Sequence, residues 1–286
     1  MSNTTKKKFY YAFFDAEYTC YMESDSSFDR SHSGEILSVG VVLCDRNFRL
    51  VRTYYSPICP LYNKKLTRYC KKLTGLTQEE IDAAPSYSVV FQELCQLFQS
   101  YPVREIYTWG NDAHTILHDM DANHKSVPRK YRKIGIMMKD ITKRLTRKVF
   151  DRGMTLSLSD MKYICGMEHH TAHNALDDAM DLYRVAKCCV QGNYDKKAAD
   201  NMEEFVRKRD VYHQYRRFKK LPEELDRQKK SSGFAELQVL SERYMELLIQ
   251  VYKNKEGKVP VEVGAFCDDI LSLMGKENKH FPELEE

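Results

Sequence analysis

Asp15 and Glu17 stand two residues apart at the end of an apolar run, Phe9-Tyr10-Tyr11-Ala12-Phe13-Phe14. In an extended segment, residues i and i+2 face the same side, so two carboxylates are set side by side. Nothing in folding calls for that. Left bare, the pair repels and one member takes up a proton. A divalent cation removes the conflict, and hard carboxylate oxygens suit Mg²⁺ or Mn²⁺. A solvated acidic loop is the competing reading of this segment, so distant parts of the chain must supply further ligands.

The stretch His173-Asn174-Ala175-Leu176-Asp177-Asp178-Ala179 offers them. At about 100° per residue, Ala175, Ala179, Leu182, Ala186 and Cys189 form the stripe expected to face inward. Asp177, Asp181, Arg184 and Cys188 are expected on the solvent face. Asp178 falls at the border of the buried stripe, so it can point into a site, whereas Asp177 suits the helix dipole. A dipole role for Asp178 is the plainer alternative. His173, just ahead of this helix, is a natural acid–base group near neutral pH. A surface loop histidine is the competing reading of His173, and the neighbouring His169 and His170 show that a histidine alone says little. Asp112 follows another apolar strand, Ile106-Tyr107-Thr108-Trp109, and a simple N-cap explains it equally well.

The elements that must position these residues follow from pattern. Strands are expected near 9–15, 36–43, 50–55, 106–109 and 134–138. An apolar strand such as the first suits the middle of a sheet, buried on both faces. Helices are expected at 66–73, from a Ser86 cap to Phe98, from Asp112 to Met120, over 158–165 and over 174–190; Thr77 should cap a short turn after Gly75. Three strands come first and then strands alternate with helices, which predicts an α/β fold with a mixed sheet: an antiparallel meander followed by parallel strands, flanked by helices. After Gly192-Asn193 the pattern is all helical, over about 196–220, 234–253 and 261–274, punctuated by Pro222, Ser231-Ser232-Gly233 and Pro260.

The 286 residues are 42% hydrophobic and 30% charged, as in an ordinary soluble globular protein. No apolar stretch approaches the roughly 18 residues that span a membrane, and residues 1–8 lack the apolar core of a secretory signal; a cytoplasmic location is the expectation. Nine cysteines in no framework and without a C-x-x-C pair suggest reduced thiols rather than zinc. A net charge of +4 permits a polyanionic partner. Basic residues concentrate between Lys196 and Lys230.

Together these residues resemble the DEDDh, or DnaQ-like, 3′→5′ exonucleases, a family with a ribonuclease H-like fold. The matching pieces are Asp15-Ala16-Glu17-Tyr18-Thr19-Cys20, Asp112 within Thr108-Trp109-Gly110-Asn111-Asp112, and His173…Asp178-Ala179. Leu73-Thr74-Gly75-Leu76-Thr77 and Ile81-Asp82-Ala83-Ala84-Pro85 also fit. The resemblance covers about residues 8 to 192. Cys20 stands where many members have Gly, which is similar to the branch that trims RNA 3′ ends. The resemblance implies two Mg²⁺ or Mn²⁺ ions about 3.5–4 Å apart, with Asp15 bridging them. Glu17 and Asp178 would complete the site of the nucleophilic water, and Asp112 would act on the second ion through water. His173 would take the proton. Glu17, Tyr18 and Thr19 would hold the terminal nucleotide. The implied partner is a nucleic-acid 3′ end, RNA favoured over DNA.

Residues 1–194 thus read as an exonuclease domain and 195–286 as a helical extension of unassigned role. The extension interleaves Tyr212, Tyr215 and Phe218 with Arg207, Lys208, Arg209, Arg216, Arg217, Lys219 and Lys220. Basic and aromatic side chains of this kind can hold single strands; core packing or self-association through these helices is the alternative. Three other functions compete: a non-catalytic nucleic-acid-binding module on the same fold, an HD-type phosphohydrolase built on His114, His118 and Asp119, and a DNA proofreading or repair exonuclease.

Overall fold

The computed structural model describes residues 8–124, 127–168, 174–206, 221–229, 233–253, 258–259 and 261–275. Five strands form one sheet: β1 (Tyr10–Tyr18), β2 (Ile36–Asp45), β3 (Leu50–Pro57), β4 (Val103–Thr108) and β5 (Met138–Asp140), in the order β3-β2-β1-β4-β5. β1 pairs antiparallel with β2, and β2 with β3. β4 lies parallel to β1 and to β5. The expected meander followed by parallel strands is what forms. Helices flank the sheet: α1 (Arg68–Thr74), α2 (Gln78–Asp82), α3 (Tyr87–Ser100), α4 (Asp112–Asn123), α5 (Arg129–Met137), α6 (Thr142–Phe150), α7 (Leu158–Ile164) and α8 (Ala175–Gln191).

β1 holds the centre because it is apolar on both faces. Ala12, Phe13 and Phe14 are wholly buried. Ala12, Phe14 and Ala16 join one core with Phe91 of α3, Ile116 of α4 and Tyr131 of α5. Phe13 faces the other way and meets Tyr183 of α8 edge-on, with ring centroids 5.7 Å apart. Alternation carries Asp15 and Glu17 to this second face, beneath α8.

Gly40 of β2 makes that arrangement possible. It pairs with Asp15 across the ladder. A Cβ built there would lie 2.1 Å from the Ala175 carbonyl oxygen and 2.4 Å from the Leu176 nitrogen. The first turn of α8 therefore rests directly on the strand backbone. Further along, the Tyr183 hydroxyl donates to the Phe48 carbonyl at 2.7 Å, tying α8 to the β2–β3 turn.

Three expectations are corrected. Ile134–Met137, expected as strand, belong to α5, and β5 begins at Met138. Tyr131 and Ile134 are buried three residues apart while Ile136 is 69% exposed, a helical spacing. Ser86 occupies the N-cap of α3 without a side-chain capping bond, whereas Thr77 makes a full capping box with Glu80. Asp181 and Cys188, expected on the solvent face of α8, are buried. The Lys162 ammonium of α7, itself buried, pairs with Asp181 and supplies the countercharge that burial requires.

All nine cysteines are free. No helix among the described residues is long and apolar enough to cross a membrane. The chain divides into two compact units, Met1–Ala199 and Asp200–Glu286. Residues 196–206 are helical (α9). In the second unit α10 (Leu221–Gln228), α11 (Phe234–Tyr252) and α12 (Val261–Leu273) share a core of their own around Leu225, Leu248, Cys267 and Ile270. Pro222, expected as a break, sits in the first turn of α10, where a missing N–H costs nothing. The basic segment 207–220 lies outside the described residues.

Gly40→Ala should be more harmful than a surface glycine change. The added methyl group meets backbone that cannot rotate away, a strain of about 1–3 kcal/mol or more, and it pushes the start of α8 off the sheet. Thermal unfolding should show the stability loss, and hydrolysis should fall further than that loss explains. A variant with unchanged Tm and activity would show that α8 does not depend on this contact.

Candidate active site

Each carboxylate is delivered by a different local device. Asp15 and Glu17 come from the last turns of the β1 pleat. A register shift between Glu17 and Tyr18 bends the strand there, as bulges beside sites commonly do. Asp178 comes from the first turn of α8, whose N-cap, Asn174, accepts through its side chain from the Leu176 and Asp177 amides. Asp177 is exposed and Asp178 half-buried. Carboxylate oxygens of Asp15, Glu17 and Asp178 all lie within 4.8 Å of one another.

Asp112 enters from β4. Gly110 takes a φ of +84° in the turn between β4 and α4, a conformation glycine adopts without strain. The Asp140 carboxylate at the end of β5 accepts from the Gly110 amide at 3.2 Å and from the Thr142 amide at 2.8 Å. It thereby pins that turn and starts α6. Asn111 holds the cap position and Asp112 is the first helical residue, so the simple capping role does not apply to it. The Tyr18 hydroxyl donates to Asp112 Oδ1 at 3.5 Å, and Oδ2 is buried with no hydrogen-bond partner among the described residues. Thr19, 5% exposed, accepts through its side-chain oxygen from the Glu35 amide at 3.0 Å. His173, like His169 and His170, lies outside the described residues.

The electrostatics are those of like charges forced together. Burial holds the Asp15 carboxyl well above the usual range, and Asp112, Asp178 and Glu17 add to it. Burial pushes Glu17 up to about 8, again with help from Asp178. Burial lifts Asp112 to about 7, partly offset by the Tyr18 hydroxyl. Clustered carboxylates that cannot all ionise, next to a buried carboxylate oxygen with no partner, fit a divalent cation held by oxygen ligands.

The HD-type alternative fails on geometry. Asp119 is fully buried and accepts from Asn123 Nδ2 at 2.7 Å. His118 is exposed, its ring 6.4 Å from that of His114. The acid and the two imidazoles face opposite sides of α4.

Sequence reasoning passed over Gly40, Asp140, the Lys162–Asp181 pair and the contact of the Tyr18 hydroxyl with Asp112. A lone glycine inside Ile36–Leu43 was the available signal for the first, since such a residue often marks close backbone approach. The others depend on contacts between elements far apart in sequence.

The raised proton affinities set the sign of a pH effect. Unfolded, Glu17 and Asp112 lose their protons near pH 4; folded and metal-free, they do so near 8 and 7. Between those limits the folded state binds more protons, so stability falls as pH rises. In EDTA, Tm should drop between about pH 5 and pH 8, and Mn²⁺ or Mg²⁺ should restore it at the upper end. Asp15→Asn should flatten the decline. A metal-free Tm that climbs steadily over that range would contradict the crowded-carboxylate picture.

Comparison with known proteins agrees with this geometry. A probable 3′-5′ exonuclease, KapD, of Bacillus subtilis is 27% identical over 158 residues, which cover 55% of this chain and 74% of that protein. The 3′-5′ exonuclease eri1 of Schizosaccharomyces pombe is 35% identical over 81 residues, 28% of this chain, and those residues span 26% of its length. Among solved structures, a full-length 3′-exonuclease superposes with a TM-score of 0.52 at 23% identity, covering 66% of this chain and 84% of that one. The nuclease domain of 3′hExo, a DEDDh family member bound to rAMP, gives the same TM-score at 20% identity, covering 66% and 96%. These two show the ribonuclease H-like fold. The exonuclease family model RNase_T matches residues 12–186, a span that takes in Asp15, Glu17, Asp112 and Asp178, and the chain belongs to that exonuclease family.

Proposed function

We propose that this protein is a two-metal 3′→5′ exonuclease that releases nucleoside 5′-monophosphates from single-stranded nucleic acid, RNA in preference to DNA. The observation that carries the reading is the convergence of Asp15, Glu17 and Asp178 within 4.8 Å, with the unpartnered Asp112 oxygen behind Tyr18. The direction of attack is supported by the relatives described as 3′-5′ exonucleases. The RNA preference is supported by the Asp15–Cys20 motif and by a fold neighbour described in 3′-end specific recognition of a histone mRNA stem-loop.

In this reading Asp15, Glu17, Asp178 and Asp112 hold two Mg²⁺ or Mn²⁺ ions. Bound ions would neutralise the phosphate and acidify a water. His173 accepts the proton of that water as its oxygen bonds to phosphorus in line with the departing 3′ oxygen. The P–O3′ bond breaks, and the 3′ oxygen takes a proton from solvent. Tyr18, by donating to Asp112, keeps that carboxylate oriented. Glu17, Tyr18 and Thr19 lie along the β1 end where the terminal nucleotide would sit. Beside it, α1 and the 22–25 segment border a cavity of about 740 Å³ with Arg68, Lys72 and Tyr69 on its wall, a setting suited to a base and its phosphate. Hydrolysis belongs to residues 1–194, and the extension 195–286 contributes to binding longer strands through its basic and aromatic segment.

The direct test uses 5′-labelled and 3′-labelled RNA and DNA with Mg²⁺ or Mn²⁺. A ladder shrinking from the 3′ end, with 5′-monophosphate product, is expected. Asp15→Ala and Asp178→Asn should lose activity by orders of magnitude, while the exposed neighbour Asp177→Asn should lose little. Turnover persisting in excess EDTA, or equal losses at 177 and 178 in folded proteins, would sink the proposal.

A positioned base contributes roughly 10²- to 10⁴-fold. His173→Ala should lose about that much in rate while still binding substrate, and the wild-type rate should fall at low pH as the imidazole protonates. His169→Ala and His170→Ala should be mild. If either of those costs more than His173→Ala, the base is another histidine.

A further inference from the structure

A separate cavity of about 410 Å³ opens between Leu61 and Tyr62, the start of α3, Asn123 and His124 at the end of α4, and Val127 and Pro128 ahead of α5. None of the four site carboxylates lines it. Its wall is an aromatic column that starts in the core. Tyr87 stacks on Phe91 at 4.2 Å, and His124 stacks on Tyr87 at 3.8 Å with the planes 20° apart. Tyr62, 42% exposed, forms a second wall and rests on His32 at 3.6 Å.

The cavity also has polar atoms that no described residue uses. Asn123 is 2% exposed, and its Nδ2 donates to Asp119 Oδ1 at 2.7 Å. That bond orients the amide and leaves Oδ1 as an acceptor. Asn123 Oδ1 and the Tyr87 hydroxyl are both buried without a hydrogen-bond partner among the described residues. Buried polar atoms rarely stay unpaired, so two in one cavity point to a ligand. Pro128 on the wall is the N-cap of α5, which begins with Arg129 and has no acid in its first turn, a setting that favours phosphate.

Stacking faces, hydrogen-bonding groups at their edge and a helix start beside them are the chemistry of a nucleotide in a single strand. α4 runs from Asp112 to Asn123 and so leads from the carboxylates to this cavity. Twelve helical residues span about 18 Å, and a stacked strand rises about 3.4 Å per nucleotide. We propose that this cavity is an upstream base subsite, holding a nucleobase of the substrate strand up to about five nucleotides from the scissile bond. The proposal rests on the exonuclease reading. The Asn123 acceptor suits a donor on the base edge, an exocyclic amino group or a ring N–H.

The test uses matched RNA and DNA oligonucleotides with one abasic site moved stepwise from the 3′ end, on the full chain. In the wild type, an abasic site at one position within about five nucleotides should raise KM about tenfold and leave kcat nearly unchanged. His124→Ala and the surface change Tyr62→Ala should raise KM for the intact strand similarly, be insensitive to that abasic site, and cleave a dinucleotide as the wild type does. Tyr62→Ala keeps the test sharp if His124→Ala folds poorly. Fluorescence anisotropy with the same labelled strands in EDTA separates the two readings. Position-dependent binding that His124→Ala or Tyr62→Ala abolishes, without turnover, would keep the subsite and reject the exonuclease. Normal hydrolysis with no sensitive position upstream, or variants that slow the dinucleotide as much as the long strand, would overturn the subsite.

Discussion

The absence of a side chain at Gly40 is the constraint on which the rest depends. It lets a helix terminus lie against a strand backbone at a distance no Cβ would permit, directly across from Asp15. The result is that a carboxylate from a helix meets two from a strand. That meeting is unfavourable by itself, and the surrounding structure is built to enforce it. β1 is wedged between two apolar layers, the Lys162–Asp181 pair fastens α8 to α7, and Asp140 pins the turn that presents Asp112.

The enforced crowding explains why the site is acidic without being stabilising. Replacing one of these carboxylates with a neutral group would relieve repulsion in the metal-free protein, yet under the proposed mechanism it would remove a ligand for the cation. Stability and chemistry therefore pull in opposite directions at the same four side chains. The apolar packing of Phe13 and Phe14, wholly buried on opposite faces of one strand, carries the cost.

Much of this was legible in the sequence because it is local. The period-two spacing of Asp15 and Glu17 and the helical phase that separates Asp178 from Asp177 survive in the structure, as do the antiparallel meander with its following parallel strands and the Thr77 cap. What was misread depends on partners distant in sequence. Ile134–Met137 are apolar enough for a strand, and only their packing against α3 and α4 selects the helix. Asp181 has the phase of a surface residue, and the Lys162 ammonium arriving from another helix, with Arg184 of its own, makes its burial tolerable. Gly40 looks like a weak point in a good strand until the helix above it is known. His173 follows from motif order alone.

α8 is anchored at two places along its length, its first turn on Gly40 and its Tyr183 hydroxyl on the carbonyl of Phe48. Two anchors on one rigid rod set its rotation and its longitudinal position together. A single residue inserted between Ala175 and Tyr183 would turn everything beyond it by about 100°, so both anchors could not be kept at once. A length change between the two anchors therefore costs this chain one of them, whereas one before Asn174 or after Tyr183 does not. The helix acts as a gauge block: a portion of the chain in which substitutions are negotiable and the count of residues is not.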